Sequence, residues 1–459
     1  KIWDLNSFTE IYSRIQISRN EWLSTVPTGY FDGTKDALKM VNYVSGMESL
    51  PVGSFFDKYF SPGLIKRVND GERFNETGQN IEELMDSSPG LTFILADGRR
   101  NIATQTDSIY TSATEKVNIG LEIEGDIANL EEVRVYNNGK LVLIESLSNI
   151  VTFRGGATNI HYVDLPLNAG ENHISGLVIN KNKIESNPTD LIIQYDTQAT
   201  NSDLYILSIG INDYQNPAYK LNYAVNDSRA FTKALAAGGD TLFSEIMTYN
   251  IENSRANKLE ILATIETIKQ QIRPQDVFVF YYAGHGVMSD KSKENEADFF
   301  IVTQDILNLY GDPNTLFEKA ISAKELMQYS MEIIAEKQLF VLDACHSGGA
   351  INQLALRSDG REKALAQLAR STGTFFLTAS QNAQYANEVG NLKHGLFTYA
   401  LLEIIEGQIK DNGDNKLTIN EMKTYVEDRV PELSETYQGT PQYPTSYSFG
   451  QDFPLVILK

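Results

Sequence analysis

Residues 277–286 read Val-Phe-Val-Phe-Tyr-Tyr-Ala-Gly-His-Gly, and residues 339–349 read Leu-Phe-Val-Leu-Asp-Ala-Cys-His-Ser-Gly-Gly. Each begins with a short apolar run, which is typical of a parallel strand covered on both faces. Further apolar runs and helical patterns alternate along the C-terminal half, at 204–209, 227–237, 256–272, 322–337, 374–378 and 395–406. Strands that alternate with helices predict an α/β sandwich over residues 199–459.

A histidine and the only cysteine of the chain follow these two apolar runs. Sites in open parallel sheets gather where the strands end, so adjacent strands would bring His285 and Cys345 side by side. An imidazole can remove the proton of a nearby thiol, and the glycines permit tight turns that leave N–H groups free for an oxyanion. A lone cysteine is most often a small buried side chain, and a histidine in a Gly-rich loop is often a turn residue. Their joint occurrence favours a catalytic Cys–His pair.

Residues 281–286 and 342–349 resemble the two signatures of the caspase-like cysteine peptidases, and are closest to the metacaspase/orthocaspase branch. The resemblance extends over about residues 201–459. It implies a caspase-like three-layer sandwich, a cysteine endopeptidase activity and no organic cofactor. Residues 1–5 resemble the closing strand of a WD-type propeller blade, with a plain strand or helix start as the alternative. A WD-repeat region ahead of the peptidase domain is a known bacterial arrangement.

The family resemblance assigns roles to individual residues. Cys345 would be the nucleophile, and His285 the general base toward the thiol and the acid toward the leaving amine. The backbone N–H groups of Gly286 and Cys345 would form the oxyanion hole. His346 corresponds to no catalytic residue of the family, and no carboxylate partner of His285 can be assigned.

Substrate preference is expected to depend on two aspartates. Metacaspases hold a P1 arginine or lysine with acidic residues, and the matching positions are Asp227 and Asp343. A carboxylate–guanidinium pair in a partly desolvated pocket is strongly selective, so we expect cleavage after Arg, then Lys. The alternatives are a helix N-cap for Asp227 and a buried strand-end carboxylate for Asp343. One departure from the family is Asn382, which stands after Gln381 where an acidic residue is frequent.

The acidic stretch 411–421 is a candidate calcium-binding loop. A calcium loop ending at Glu421 would begin at Lys410, where a carboxylate belongs. Residues Thr418 to Glu421 also form a capping-box pattern, which is the favoured interpretation. We therefore assign no metal ligand and retain calcium activation as an alternative.

The rest of the chain is expected to serve spacing or regulation. We predict an N-terminal segment at 1–88, the tail of a WD-repeat region, and an immunoglobulin-like β-sandwich at 89–198, from short alternating strands and an Asn-Gly hairpin at 138–139. The chain begins at Lys1 without a leader, so we expect a piece or processed form of a longer protein whose upstream region regulates it.

Charge and composition limit the classes of molecule that the chain is expected to bind. A formal charge of −21 and a pI of about 4.7 oppose nucleic acids and anionic membranes and suit basic partners. No apolar run reaches the ~20 residues of a membrane helix. A single cysteine excludes an intrachain disulfide and suits the cytoplasm.

Three alternatives remain open. The segment 350–370 contains Arg357, Arg361 and Arg370, which suit self-cleavage or a charged helix. The chain could be a catalytically silent caspase-like signalling scaffold. It could also be a peptidase of the same clan with an Asn or Asp preference at P1.

Overall fold

The computed structural model describes residues 1–19, 21–75, 81–86, 88–95, 109–125, 127–147, 160–197, 201–289, 298–309, 313–345, 358–379, 392–407 and 413–458. The chain divides into two compact units, Lys1–Gln198 and Ala199–Lys459. The division predicted at residue 88 stays a prediction.

The first part of the N-terminal unit combines short strands and helices. These are β1 (Ile2–Asp4), β2 (Thr9–Gln16), β3 (Trp22–Thr25), β4 (Phe31–Gly33), α1 (Lys35–Met40), β5 (Asn42–Ser45), β6 (Glu48–Pro51), α2 (Phe56–Tyr59), α3 (Leu64–Asn69) and α4 (Ile81–Asp86). Strands β1 to β4 form an antiparallel sheet in chain order. Helix α1 ends at Met40, because the following residues pair as the β5–β6 hairpin.

The second part of this unit is rich in strands. They are β7 (Gly90–Leu95), β8 (Ile109–Ser112), β9 (Lys116–Glu124), β10 (Leu130–Asn137), β11 (Lys140–Ser146), β12 (Ile160–Pro166), β13 (Gly170–Asn180) and β14 (Thr189–Tyr195). They form two sheets, in the orders β11-β10-β13-β14-β8 and β12-β9-β7, which share one apolar core. The predicted Asn-Gly hairpin is confirmed: Asn138 and Gly139 join β10 to β11 with φ of 49° and 86°.

The C-terminal unit alternates strands and helices, as predicted. Its elements are β15 (Leu204–Gly210), α5 (Ala224–Gly239), β16 (Ile246–Glu252), α6 (Lys258–Lys269), β17 (Val277–Met288), β18 (Phe299–Ile301), α7 (Pro313–Lys319), β19 (Ile321–Ser322), α8 (Ala323–Glu332), β20 (Lys337–Cys345), α9 (Ser358–Thr372), β21 (Phe375–Thr378), α10 (Leu396–Ile405), β22 (Lys416–Thr418), α11 (Ile419–Gln438), β23 (Thr445–Ser448) and β24 (Pro454–Ile457). The central sheet has the order β16-β15-β17-β20-β21-β23. Its strands are parallel except β23.

Alternation along the central strands creates a core on each face of the sheet. In β17, Val277 and Val279 belong to the core formed with α5, α10 and α11, whereas Phe278 and Phe280 belong to the core formed with α6, α8 and α9. Each of these four residues is at most 1% exposed. Strands covered on both faces lack a polar side, which explains their continuous apolar runs. The α/β character predicted for this part is confirmed.

Local signals set the helix starts. The capping box predicted at Thr418 is present, with Glu421 as the returning carboxylate, and Ser322 forms a second one with Glu325. Glu421 is thereby engaged at the start of α11. A membrane-spanning helix needs a long apolar stretch, and no helix among the described residues has one.

Candidate active site

The histidine and the cysteine lie on neighbouring strands of the central sheet. Strands β17 and β20 run parallel, and their register pairs the Cα of His285 with that of Cys345. For Cys345 the description extends to the backbone, at the last position of β20. His346, Gln381 and Asn382 lie outside the described residues. The fold thus brings together, from positions 60 apart in the sequence, the two residues that the motifs single out.

The imidazole of His285 is fixed by a backbone carbonyl. Its Nε2 lies 2.8 Å from the carbonyl oxygen of Tyr219, and the residue is only 2% exposed. A carbonyl can only accept, so Nε2 carries the proton of this hydrogen bond. In the neutral ring Nδ1 is then the basic nitrogen, which is the one able to take a proton from a thiol. No carboxylate is required to set this tautomer.

Two buried tyrosines hold the backbone of His285. Its N–H donates to the Tyr214 hydroxyl at 2.8 Å, and its carbonyl oxygen lies 2.7 Å from the hydroxyl of Tyr282. The ring of Tyr214 packs on the imidazole, with centroids 4.8 Å apart. Burial raises the pKa of both tyrosines above the usual value, so both hydroxyls stay protonated. This clamp orients the histidine before any substrate arrives.

The glycines beside His285 act differently from the prediction. Strand β17 does not turn there but continues to Met288, because Gly286 to Met288 pair with β18. The expected tight turns are therefore wrong at Gly284 and Gly286, whereas Gly348 and Gly349 lie outside the described residues. Gly284 and Gly286 instead permit close approach: a Cβ on Gly284 would lie 2.5 Å from the Tyr282 hydroxyl, and one on Gly286 would lie 2.8 Å from the Phe299 ring.

Gly284→Ala is expected to destabilise the protein. Its Cβ would lie 2.6 Å from the Tyr214 oxygen as well, so the tyrosine clamp must move. We expect the free energy of unfolding to fall by ~1–3 kcal/mol, the usual cost of overpacking a buried site. Urea denaturation would measure it. In a Tyr214→Phe background the loss should be smaller, because one of the two clashing hydroxyls is gone. Equal losses in both backgrounds would contradict this account.

The two aspartates proposed for substrate binding come together near the start of α10. Asp227 and Asp343 are 4% and 7% exposed, and each places its Oδ2 within 3.3 Å of the same point, where a Cβ on Gly395 would lie. The Asp343 Oδ2 accepts a hydrogen bond from Thr398 at 2.6 Å, whose hydroxyl lies 2.6 Å from that of Tyr281. Two carboxylates from distant parts of the chain therefore lie close together beside Gly395.

The structure separates the alternative explanations of these aspartates. Helix α5 begins at Ala224 with Tyr223 as its N-cap, so Asp227 lies inside the first turn and is not a cap. Asp343 is buried and hydrogen-bonded, which agrees with its structural alternative as well as with a pocket role.

The electrostatics of the pocket favour an incoming cation. Burial raises the pKa of Asp227 to about 7, and the nearby charge of Asp343 acts in the same direction. Hydrogen bonds from His394 and from the N–H of Gly395 act the other way, with His394 Nδ1 2.7 Å from Asp227 Oδ1. Two buried like charges repel, and a cation placed between them would relieve that repulsion.

Sequence reasoning missed several members of this site: Tyr214, Tyr219, Tyr281, His394 and Thr398. Tyr219 contributes a backbone carbonyl, for which residue type gives no signal. His394 precedes the predicted start of a helix, and a histidine among only five in the chain could have been noted there. Its partner Asp227 is 167 positions away. Only the tertiary structure reveals that pairing.

The family model described as "Caspase domain" matches residues 205–453, more than half of the chain. The chain belongs to the caspase domain family. Both strands that carry the histidine and the cysteine lie within the matched range. Membership supports a peptidase that acts on proteins.

Other comparisons are weaker. No curated protein matches the chain. Among solved structures, a crystal structure of a Geobacter sulfurreducens protein is 15% identical, covers 56% of this chain and 100% of its own, and gives a TM-score of 0.36. The fibronectin(III)-like modules of CbhA from Clostridium thermocellum are 12% identical and cover 24% of this chain and 47% of theirs, with a TM-score of 0.17. Neither similarity is high enough to support a conclusion about the fold or function of this caspase domain.

Metal ligands are not apparent in the described part of the caspase domain, where no group of three or more His, Cys, Asp or Glu side chains could hold an ion. Glu421 accepts the backbone N–H of Thr418 at 2.9 Å, as the capping box requires. Residues 408–412 lie outside the described ranges, so calcium activation stays a prediction.

The arginine-containing segment after the cysteine is helical where it is described. Arg361 and Arg370 lie in α9, and Arg361 is 3% exposed with its guanidinium over the Phe299 ring at 5.2 Å. A peptidase needs an extended and accessible chain, so Arg361 does not suit self-cleavage in the folded state. Arg357 lies outside the described residues.

Proposed function

We propose that this caspase domain is a cysteine endopeptidase that cleaves proteins after Arg, and less readily after Lys. The observation that carries the proposal is the register of β17 and β20, which makes His285 and Cys345 neighbours. Strand ladders hold Cα positions tightly, so this register sets the two residues side by side. The hydrogen bond to the Tyr219 carbonyl makes Nδ1 of His285 the nitrogen that would accept the thiol proton.

The proposed reaction uses each residue twice. His285 takes the proton of the Cys345 thiol, and the thiolate attacks the carbonyl carbon of the scissile peptide bond. As the C–N bond breaks, His285 returns the proton to the leaving amine, and a thioester remains on Cys345. Water, deprotonated by His285, then attacks the thioester and releases the new carboxyl terminus and the thiol.

An oxyanion develops on the carbonyl oxygen during both steps. We assign its stabilisation to the N–H groups of Gly286, directly after the last β17 residue that pairs with β20, and of Cys345, at the end of β20. Preorganised N–H donors of this kind are each worth ~10²–10³ in kcat. The absence of room for a Cβ on Gly286 supports a requirement for glycine at this position.

The P1 preference follows from the acidic pocket. Asp227 and Asp343 present two carboxylates around one point, and a guanidinium can bind one or both in planar geometry. An ammonium makes fewer directed contacts, so Lys ranks second. An Asp side chain at P1 would add a third negative charge, and this disfavours the same-clan alternative with an Asp preference.

The remaining proposals concern the branch of the family, the N-terminal unit, the cellular setting and regulation. We propose the metacaspase/orthocaspase branch, an immunoglobulin-like relationship for residues 89–198, and a cytoplasmic setting. We also propose regulation by an upstream WD-repeat region of the same polypeptide, for which the antiparallel sheet β1 to β4 offers some support.

A panel of fluorogenic peptides that differ only at P1 tests this function. We expect kcat/KM in the order Arg, Lys, then Asn and Asp, with Arg above Asp by ~10³-fold, since a charge-pairing pocket rejects the opposite charge. The panel should be run with and without calcium. Cleavage of no peptide under either condition would favour the scaffold, and faster cleavage after Asp than after Arg would refute the acidic pocket.

A further inference from the structure

The imidazole of His394 is hydrogen-bonded to Asp227, which is one of the two carboxylates that the substrate cation is expected to bind. Its Nδ1 lies 2.7 Å from Asp227 Oδ1, while the N–H of Gly395 donates to Oδ2 at 3.1 Å. Both oxygens of Asp227 are therefore engaged. The side chain of His394 is 23% exposed and that of Asp227 only 5%, so the imidazole lies on the more accessible side of the pair.

A cleft next to the ring gives it an alternative position. The cleft lies between α5 and α10, has a volume of about 520 Å³, and includes His394 in its lining. Its floor is apolar, with Ala234 and Leu402 among the lining residues. The space is several times larger than an imidazole and therefore has the volume to accommodate the ring.

The ionisable groups around His394 come from three elements. They are Asp227 and Lys233 on α5, Asp343 on β20, and Tyr399 and Glu403 on α10 together with Glu406 at its C-cap. Glu403 is committed elsewhere, because the Arg429 guanidinium binds it at 2.8 and 2.9 Å. The strongest electrostatic partner of the imidazole is thus Asp227, and Lys393 beside it in the sequence is exposed.

We propose that His394 is an internal competitor of the P1 side chain: its imidazole hydrogen-bonds to Asp227 before substrate binds, and an incoming P1 arginine displaces it toward the α5–α10 cleft. This inference rests on the proposed function, since it needs a cationic P1 residue. His394 then sets how strongly the two aspartates bind Arg.

The competition lowers the apparent affinity for Arg. While the imidazole is hydrogen-bonded to Asp227, that carboxylate cannot bind a guanidinium in the same position, and apparent affinity falls in proportion to the binding-competent fraction. Because the pKa of Asp227 is raised to about 7, ionisation of Asp227 also strengthens Arg binding with rising pH, in wild type and in His394 variants alike. Variants of His394 therefore separate the two effects.

The test is the inhibition constant of N-acetyl-argininamide together with KM for an Arg peptide, for wild type and His394→Ala at pH 7 and pH 9. Removal of the competitor should strengthen binding by about five- to tenfold relative to wild type at each pH. His394→Asn shortens the side chain and should behave similarly. His161→Ala is the matched control, because His161 makes a comparable pair with Glu145 at 2.6 Å outside the caspase domain.

A second readout does not depend on turnover. The imidazole ¹⁵N signals of His394 should change when N-acetyl-argininamide is added to Cys345→Ala protein, since the ring leaves Asp227. If His394 merely positions Asp227, its signals stay unchanged and both His394 variants bind Arg more weakly at each pH, which overturns the competitor role alone. If neither wild type nor variants bind the argininamide or cleave Arg peptides, the proposed function fails with it.

Discussion

Cys345→Ala is expected to reduce kcat/KM for Arg peptides by at least ~10³-fold, because it removes the atom that forms the covalent intermediate. His285→Ala should lower activity comparably, and the double variant no further, since residues that act as one unit lose their contributions together. Single-turnover assays with active-site titration would measure these losses.

The control for this prediction is structural integrity. Cys345 ends β20, and His285 is buried within β17, so thermal unfolding of each variant should be compared with wild type. Cys345→Ser retains a similar volume and a weak nucleophile, and should fold equally well. Arg-directed cleavage that survives in Cys345→Ala, in protein free of contaminating peptidase, would eliminate the proposed mechanism.

Asp343→Asn and Asp227→Asn should reverse the selectivity of the pocket. Each removes one carboxylate from the guanidinium, and we expect kcat/KM for Arg peptides to fall by ~10²-fold or more, as for a lost partner of a buried ion pair. Peptides with P1 Asn should be affected much less. The P1 panel applied to both variants measures the change, and an Arg preference that survives in the double variant would contradict the pocket.

The same variants should not lose stability, which separates a binding role from a structural one. The pKa of Asp227 is raised from 3.8 to about 7, so between these values the folded state retains a proton that the unfolded state has released. This contribution to stability is present below pH about 4 and is lost as pH rises through about 7. Asp227→Asn should remove this dependence of the free energy of unfolding on pH. Urea denaturation at pH 5 and pH 8 would show it, and an unchanged slope would refute the assignment.

Much of the catalytic framework could be predicted from the sequence because it depends on local signals. The apolar runs that begin β17 and β20 and the two capping boxes are short-range patterns, and the Gly-rich motifs lie directly beside them. The course of β17 beyond Tyr281 could not be predicted in this way. Gly284 and Gly286 disfavour a strand locally, but pairing with β18 supplies hydrogen bonds that outweigh this preference.

The surroundings of the two functional residues depend on tertiary contacts. The carbonyl of Tyr219 and the hydroxyl of Tyr214 reach His285 from a segment more than sixty positions away. His394 meets Asp227 only because the start of α10 lies against α5. Such contacts leave no periodic pattern in a single sequence, so the acidic residues could be proposed from the family resemblance but their hydrogen-bond partners could not.

Strand β17 is shared between two ladders: its first part pairs with β15 and β20, and its last three residues pair with β18. His285 stands at the fork between them. The position of His285 therefore depends on both ladders, which join segments far apart in the sequence. If the domain is the peptidase proposed above, its general base would be in place only once both ladders have formed.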